Sequence, residues 1–222
     1  MNNNNQNELA ISLQTLKRLP GYLHYLKKER ENGAVSISAA KTARSFGYSE
    51  IQVRKDFAAV CSGKGKPKSG FDIDELINSI ESVLGFNNTN EAVLAGVGHL
   101  GKALLSYSGF EHCGVSIVAA FDSDETVVGS RIADKNVLSA DKISDVCRRL
   151  NVHIGIITVP SKAAQTVCDQ FVAGGVKAIW NFANVRLSVP DDVLVQNENM
   201  AASLAVLSKH LNDTIHNPFT KA

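Results

Sequence analysis

Residues 91–107 read EAVLAGVGHLGKALLSY, and this stretch decides the fold. A short apolar strand over Ala92–Ala95 runs into a glycine turn. An apolar-periodic helix follows, with Leu100, Ala103, Leu104 and Tyr107 on its inner side. This is the strand–G-x-G-x-x-G–helix context in which a weak motif becomes a dinucleotide-binding expectation. Gly96 permits the sharp turn, Gly98 lets backbone approach a pyrophosphate, and Gly101 lets the helix lie close on the strand. Val97, His99 and Leu100 complete the loop, whose backbone N–H groups would meet the phosphates at the helix start.

Outward from this motif the pattern alternates. Val115–Phe121 is a second strand ending in Asp122, 26 residues beyond Gly96, where an acid would bond the ribose hydroxyls. Asp124 and Glu125 add negative charge that would repel a 2′-phosphate, so NAD is favoured over NADP. A helix over Lys142–Leu150, a strand over His153–Thr158, a helix over Ser161–Ala173 and a strand over Ala178–Asn181 continue the series. Such an order predicts a doubly wound parallel sheet over residues 87–196. Ligands in these sheets sit beyond the carboxyl ends of the strands, where Gly96, Asp122, Thr158 (with Val159 and Pro160) and Asn181 all fall. A last helix is expected over Glu198–Leu211, within a C-terminal segment 197–222.

The first ninety residues are of another kind. Residues 1–8 are polar and read as a tail, and 9–86 read as a small domain. Between Lys17 and Lys68 there are twelve Lys/Arg against four Asp/Glu, whereas from Asn87 onward there are eleven against thirteen. A basic head on a slightly acidic body points to a polyanionic partner. Leu16, Leu19, Leu23 and Leu26 mark a helix, with Pro20 placed near its first turn. Ala39–Phe46 is a short helix closed by Gly47. Ser49–Gln52 is a capping box that opens a helix to about Val60, with Ile51, Phe57 and Val60 inward. Two short helices across a glycine turn make a helix-turn-helix. Ser62–Gly70 alternates glycine and lysine and reads as a basic wing. Lys41, Ser49, Gln52, Arg54 and Lys55 are the candidate DNA contacts on the helices, and Lys64, Lys66 and Lys68 those of the wing. Phe71–Phe86 is an amphipathic helix.

Other chemistry is thinly represented. The 222 residues contain no apolar run of membrane-spanning length and no N-terminal signal pattern, so a cytoplasmic protein is expected. The four cysteines are scattered without a C-x-x-C, which argues against zinc. No Ser/His/Asp, acid–base or metal-ligating constellation appears, and no enzyme is expected.

Taken in order, RLPGYL (Arg18–Leu23), QVRKDF (Gln52–Phe57), GVGHLGKAL (Gly96–Leu104), FDSD (Phe121–Asp124), TVPSKAAQ (Thr158–Gln165) and WNFANVRLSVP (Trp180–Pro190) closely resemble the Rex family of redox-sensing transcriptional repressors. The resemblance runs from about Leu16 to Leu211. It implies a winged-helix head, a Rossmann body binding NAD or NADH, and a homodimer in which each C-terminal helix is swapped onto its partner. It also implies binding to inverted-repeat double-stranded DNA, with release when NADH replaces NAD.

The departures from the family pattern are specific. His24 stands where well-studied members carry an Arg, and Asn199 where its Asp partner on the swapped helix stands. Tyr107 matches the Tyr through which the cofactor's redox form acts on that pair. Met200 replaces a common Phe near the nicotinamide, and the wing carries additional lysine. His24 and Asn199 form at most a weakly charged hydrogen bond, which would weaken redox switching in a divergent Rex. The competing readings are an NAD-dependent oxidoreductase with an N-terminal extension and a CoA- or nucleotide-binding adaptor.

Overall fold

The computed structural model describes residues 11–61, 70–86 and 90–216. The chain divides into two compact units, residues 1–88 and 89–222.

In the first unit α1 spans Leu13–Glu31, β1 Ser36–Ile37, α2 Ala39–Phe46, α3 Glu50–Val60, β2 Phe71–Asp72 and α4 Ile73–Leu84. Ser12 caps α1 by accepting from Thr15 N–H at 3.1 Å. The helix therefore begins earlier than the leucine pattern suggests, and Pro20 lies in its interior. Its ring removes one backbone donor, but the buried Leu19, Tyr22, Leu23 and Leu26 hold the helix through that point. Ser38 and Gly47 cap the two ends of α2, the latter at φ 67°. β1 and β2 pair antiparallel, Ser36 with Asp72 and Ile37 with Phe71. Phe71 is thus a strand residue, and α4 starts only after its Asp72 cap. One apolar cluster binds the unit, with Val53 and Phe57 of α3 packed against α1 and against Leu76, Ile77 and Ile80 of α4. Ile51 is 70% exposed, contrary to the inward placement above, because the buried side of α3 is Val53, Asp56 and Phe57. The wing lysines Lys64, Lys66 and Lys68 lie outside the described residues.

The second unit is a sheet flanked by helices. Its elements are β3 Asn90–Ala95, α5 His99–Leu105, β4 Val115–Asp122, β5 Arg131–Ile132, β6 Lys135–Ser139, α6 Ile143–Leu150, β7 Ile154–Ile157, α7 Ser161–Ala173, β8 Ala178–Asn181, β9 Leu194–Asn197 and α8 Met200–His216. The strand order is β5-β6-β4-β3-β7-β8-β9. All pairings are parallel except β5 with β6. The six parallel strands therefore follow the 3-2-1-4-5-6 order of the dinucleotide-binding fold. β3 is central and buried on both sides. Ala92 and Leu94 enter the cluster shared with Leu105 of α5. Val93 and Ala95 enter the opposite cluster with Ile143 of α6 and Phe171 of α7. Such two-sided burial is why this strand is apolar throughout.

Two further details depart from expectation. α5 ends at Leu105, so Tyr107 is not on that helix; the chain turns at Ser106 into a 3-10 turn over Ser108–Cys113. Tyr107 is 60% exposed, with its ring edge-on to Phe110 at 5.0 Å. β9, at the sheet edge, also lies in a stretch where no strand is expected. α8 exposes every side chain from Met200 to Asp213, including Leu204, Val206, Leu207 and Leu211. No described helix is long and apolar enough to cross a membrane.

Candidate functional sites: a nucleotide crevice and a basic helix face

The strand order reverses between β3 and β7, and the chain leaves the sheet on opposite faces there, opening a crevice beyond the strand ends. Gly96 follows β3 with φ 97°, a conformation that L side chains rarely adopt. A Cβ on Gly96 would lie 2.8 Å from the Thr158 carbonyl carbon, and one on Gly101 would lie 1.9 Å from the Gly96 oxygen. The fold itself therefore demands these two glycines. Gly98 differs: its φ is −72°, and a Cβ there would meet nothing within 4 Å. The space over Gly98 is a cradle that a side chain would fill, as a pyrophosphate-binding loop requires. Gly98 also supplies no side-chain cap to α5, which leaves the first N–H groups directed outward from His99 and Leu100.

Asp122 and Thr158 fasten this loop. Asp122, at the end of β4, accepts from Val97 N–H at 2.6 Å through Oδ2 and from Asp124 N–H at 3.0 Å through Oδ1. Each carboxylate oxygen keeps a second lone pair for a hydroxyl. Thr158 Oγ1 donates to Gly96 O at 2.6 Å, with Ala95 O at 3.0 Å. Hydrogen bonds from Thr126 hold the Asp124 carboxyl below the usual carboxylate range, so its negative charge persists at the crevice rim. Val159 and Pro160 lead from Thr158 into α7.

Asn181 sits at the same level of the sheet but turns inward and is fully buried. Its amide donates to Val185 O and Asn197 Oδ1 and accepts from Ala183 N–H, at 2.8–3.0 Å. Its polar atoms fix the connection from β8 to β9. Asn199 caps α8, its Oδ1 accepting from Ala202 N–H at 2.9 Å. Met200, next to it, is 64% exposed. Burial pushes the Cys147 and Cys168 thiols up to about 11, which leaves them inert packing groups. No cluster of metal-ligating residues occurs among the described residues.

In the first unit the exposed side of α3 carries Ser49, Ile51, Arg54 and Lys55, with Gln52 half-buried beside them. Ser49 accepts from Gln52 N–H at 3.2 Å, the first half of a capping box. The second half is not made, because the Gln52 side chain donates to Asp56 Oδ1 at 3.0 Å instead. A hydrogen bond to a buried carboxylate outcompetes one to a backbone amide. Arg54 pairs with Glu50 and Lys41 with Glu29, while Lys55 has no partner among the described residues. His24 is exposed on α1.

Sequence reasoning missed the centre of this unit. Asp56 is 1% exposed and accepts five hydrogen bonds. They come from Thr15 (3.1 Å), Arg18 Nε and Nη2 (2.7 and 2.8 Å), Tyr22 (2.9 Å) and Gln52. Burial raises the Asp56 pKa, but the hydrogen bonds from Arg18, Tyr22 and Gln52 prevail and hold it below the ordinary carboxylate value. Burial, and then the bond to Asp56, raises that of Tyr22. The available signal was the spacing Thr15, Arg18, Tyr22, which puts three donors on one helix face.

A family described as "Putative DNA-binding protein N-terminus" matches residues 10–58, and one described as "CoA binding domain" matches residues 87–185. The chain is 39% identical to a redox-sensing transcriptional repressor Rex of Bacteroides fragilis, over 96% of this chain and 97% of that one. It is 40% identical to that of Treponema denticola, over 89% and 94%. Among solved structures it resembles RSP, a Rex-family repressor, in complex with NAD⁺ and operator DNA, at a TM-score of 0.86 and 32% identity over 95% of this chain and 99% of that one. The complex of RSP with NADH gives a TM-score of 0.84 at 32% identity over 96% and 99%.

Proposed function

This chain belongs to the Rex family of redox-sensing transcriptional repressors, and on that premise we propose that it is a cytoplasmic, non-enzymatic repressor. It binds inverted-repeat double-stranded DNA as a homodimer and leaves it when NADH replaces NAD in the body. The observation that carries the cofactor half is the open space over Gly98 at the strand-order reversal, between two glycines that the fold itself requires. Val97 to Gly101 would present backbone N–H groups to the pyrophosphate, Asp122 would accept from ribose hydroxyls, and Thr158 holds the loop in place. The bound dinucleotide supplies only a redox-dependent shape and charge; the chain's own groups supply recognition.

The DNA half rests on α2–α3 and on the exposed cations of α3. Lys55 and Arg54 would neutralise phosphates, while Ser49 and Gln52 would address base edges. The dimer half rests on the apolar face of α8, whose Leu204, Leu207 and Leu211 find no cover among the described residues. A second copy covers it in this reading, swapped or side by side. By the family resemblance, Tyr107 and Met200 would sense the cofactor, and His24 and Asn199 would carry the response. Because His24 and Asn199 cannot form a permanent ion pair, the NADH response is shallower than that of relatives carrying Arg and Asp. Operator gel shifts at fixed salt, titrated separately with NAD and NADH, test the reading. Release by NADH at lower concentration than by NAD supports it, and operator retention indifferent to both rejects it.

A further inference from the structure

We propose that Gln52, oriented by Asp56, is a specificity-determining residue that reads an adenine in each DNA half-site. The proposal rests on the reading of α3 as the recognition helix and deepens it. An unoriented Gln presents either its carbonyl or its amide nitrogen, so it selects poorly between bases that differ in donor and acceptor order. Here the choice is made by the protein. The Asp56 carboxylate is buried, ionised and paired with Arg18. An ionised carboxylate only accepts, so the Gln52 group facing it at 3.0 Å must be the amide nitrogen.

That fixes what remains. One N–H of Gln52 is spent on Asp56, and no hydrogen bond among the described residues takes the other N–H or the carbonyl oxygen of this half-buried side chain, which lies where the buried and exposed sides of α3 meet. An adjacent donor and acceptor match the N7 acceptor and N6 amino donor of adenine in the major groove. They do not match guanine, which offers two acceptors there. Ile51, next in sequence, is 70% exposed. An aliphatic side chain left in solvent on a DNA-facing helix suits the thymine methyl group, and thus an A·T pair at or beside the same position. The other four hydrogen bonds to Asp56 keep the carboxylate in place when Gln52 is removed.

The test uses the full-length protein and duplexes selected by it from a randomised inverted-repeat pool. Each adenine of the selected half-site is then replaced by 7-deaza-adenine, which lacks N7, and binding is measured by competition. The wild-type protein is expected to lose about tenfold in affinity at one adenine per half-site, and Gln52→Ala to bind the substituted and unsubstituted duplexes alike. If Gln52→Ala still discriminates at that position, or loses affinity uniformly at every position, the assignment is overturned. So it is if the position that Gln52→Ala relaxes proves to be a guanine. A folded wild-type protein that selects no duplex at all would overturn the repressor reading together with this one.

Discussion

Arg18 and Asp56 face each other as two parallel forks, Nε to Oδ2 at 2.7 Å and Nη2 to Oδ1 at 2.8 Å, joining α1 to α3. Arg18 belongs to the RLPGYL segment and Asp56 to QVRKDF. The two stretches that carry the resemblance in the head are therefore the two halves of one interlocked site. Bidentate geometry fixes orientation as well as distance. α3 cannot rotate or slide along α1 without breaking both bonds and stranding a charge. Asp56→Ala removes the acceptor for Arg18, Tyr22 and Thr15 at once. Its expected cost is about 3–5 kcal/mol, the usual result of breaking a buried pair by removing one partner. Denaturant unfolding followed by circular dichroism would show it, and a change under about 1 kcal/mol would mean that water replaces the lost partners.

The same network sets a pH dependence. The Asp56 carboxyl titrates lower in the folded protein than its ordinary value of about 3.9. The unfolded chain therefore binds the proton first as pH falls. The stabilisation is fully present above the ordinary value and disappears as pH drops through the lowered one. Wild-type protein should lose stability in that acid window more steeply than Asp56→Ala. Parallel acid titrations of the two proteins would mean that the carboxylate is not the group responsible.

Gly98 and Gly101 lie three residues apart and should respond oppositely to a side chain. At Gly98 the backbone is extended and nothing stands within 4 Å of a new Cβ. Gly98→Val should melt within about 1 kcal/mol of wild type, as surface changes do. It should also forfeit the stabilisation that NADH gives, about 2.7 kcal/mol at a hundredfold excess over Kd. At Gly101 the new Cβ would sit 1.9 Å from Gly96 O. Gly101→Ala should therefore destabilise the body even without cofactor. Thermal melts with and without NADH separate the two, and retained NADH protection in Gly98→Val would displace the pyrophosphate from this loop.

What the sequence disclosed follows burial. β3, β4, β7 and β8 are parallel strands inside the sheet, and two-sided burial writes them as mostly apolar runs. β9 is an edge strand of mixed exposure, and β5 has two residues, so neither leaves such a run. Gly96 and Gly101 were legible because turn and close packing admit few residues. Asn181 lies at the foreseen strand end, yet its amide is consumed by Val185, Ala183 and Asn197, contacts that no local pattern specifies. The Asp56 network was hidden for the same reason. A carboxylate beside Arg54 and Lys55 reads as solvated until the partner helix, 38 residues away at Arg18, is brought against it.

Lys55 tests the proposed DNA face most simply. It is exposed and has no partner among the described residues, whereas Arg54 is paired with Glu50. Lys55→Ala should weaken binding alike on all sequences and lower the salt slope of log K by about one unit. Arg54→Ala should lower it by less, because Glu50 already neutralises part of its charge. Equal slopes for Lys55→Ala and wild type would place Lys55 away from phosphate.

The proposed switch positions, His24 and Asn199, can be rebuilt without harming the fold. Asn199 caps α8 through its Oδ1, which accepts from Ala202 N–H. Asp serves that cap as well as Asn does and adds a negative charge that the helix start favours. His24 is exposed, so an Arg there displaces nothing. His24→Arg with Asn199→Asp should therefore leave the melting temperature close to that of wild type. It should also steepen NADH-driven operator release, since a permanent ion pair would then distinguish the two states of the proposed dimer. Asn199→Asp alone should change release less than the double variant does, because His24 lacks the permanent charge of an Arg. Equal release curves for the double variant and wild type, at equal stability, would take these two positions out of the switch.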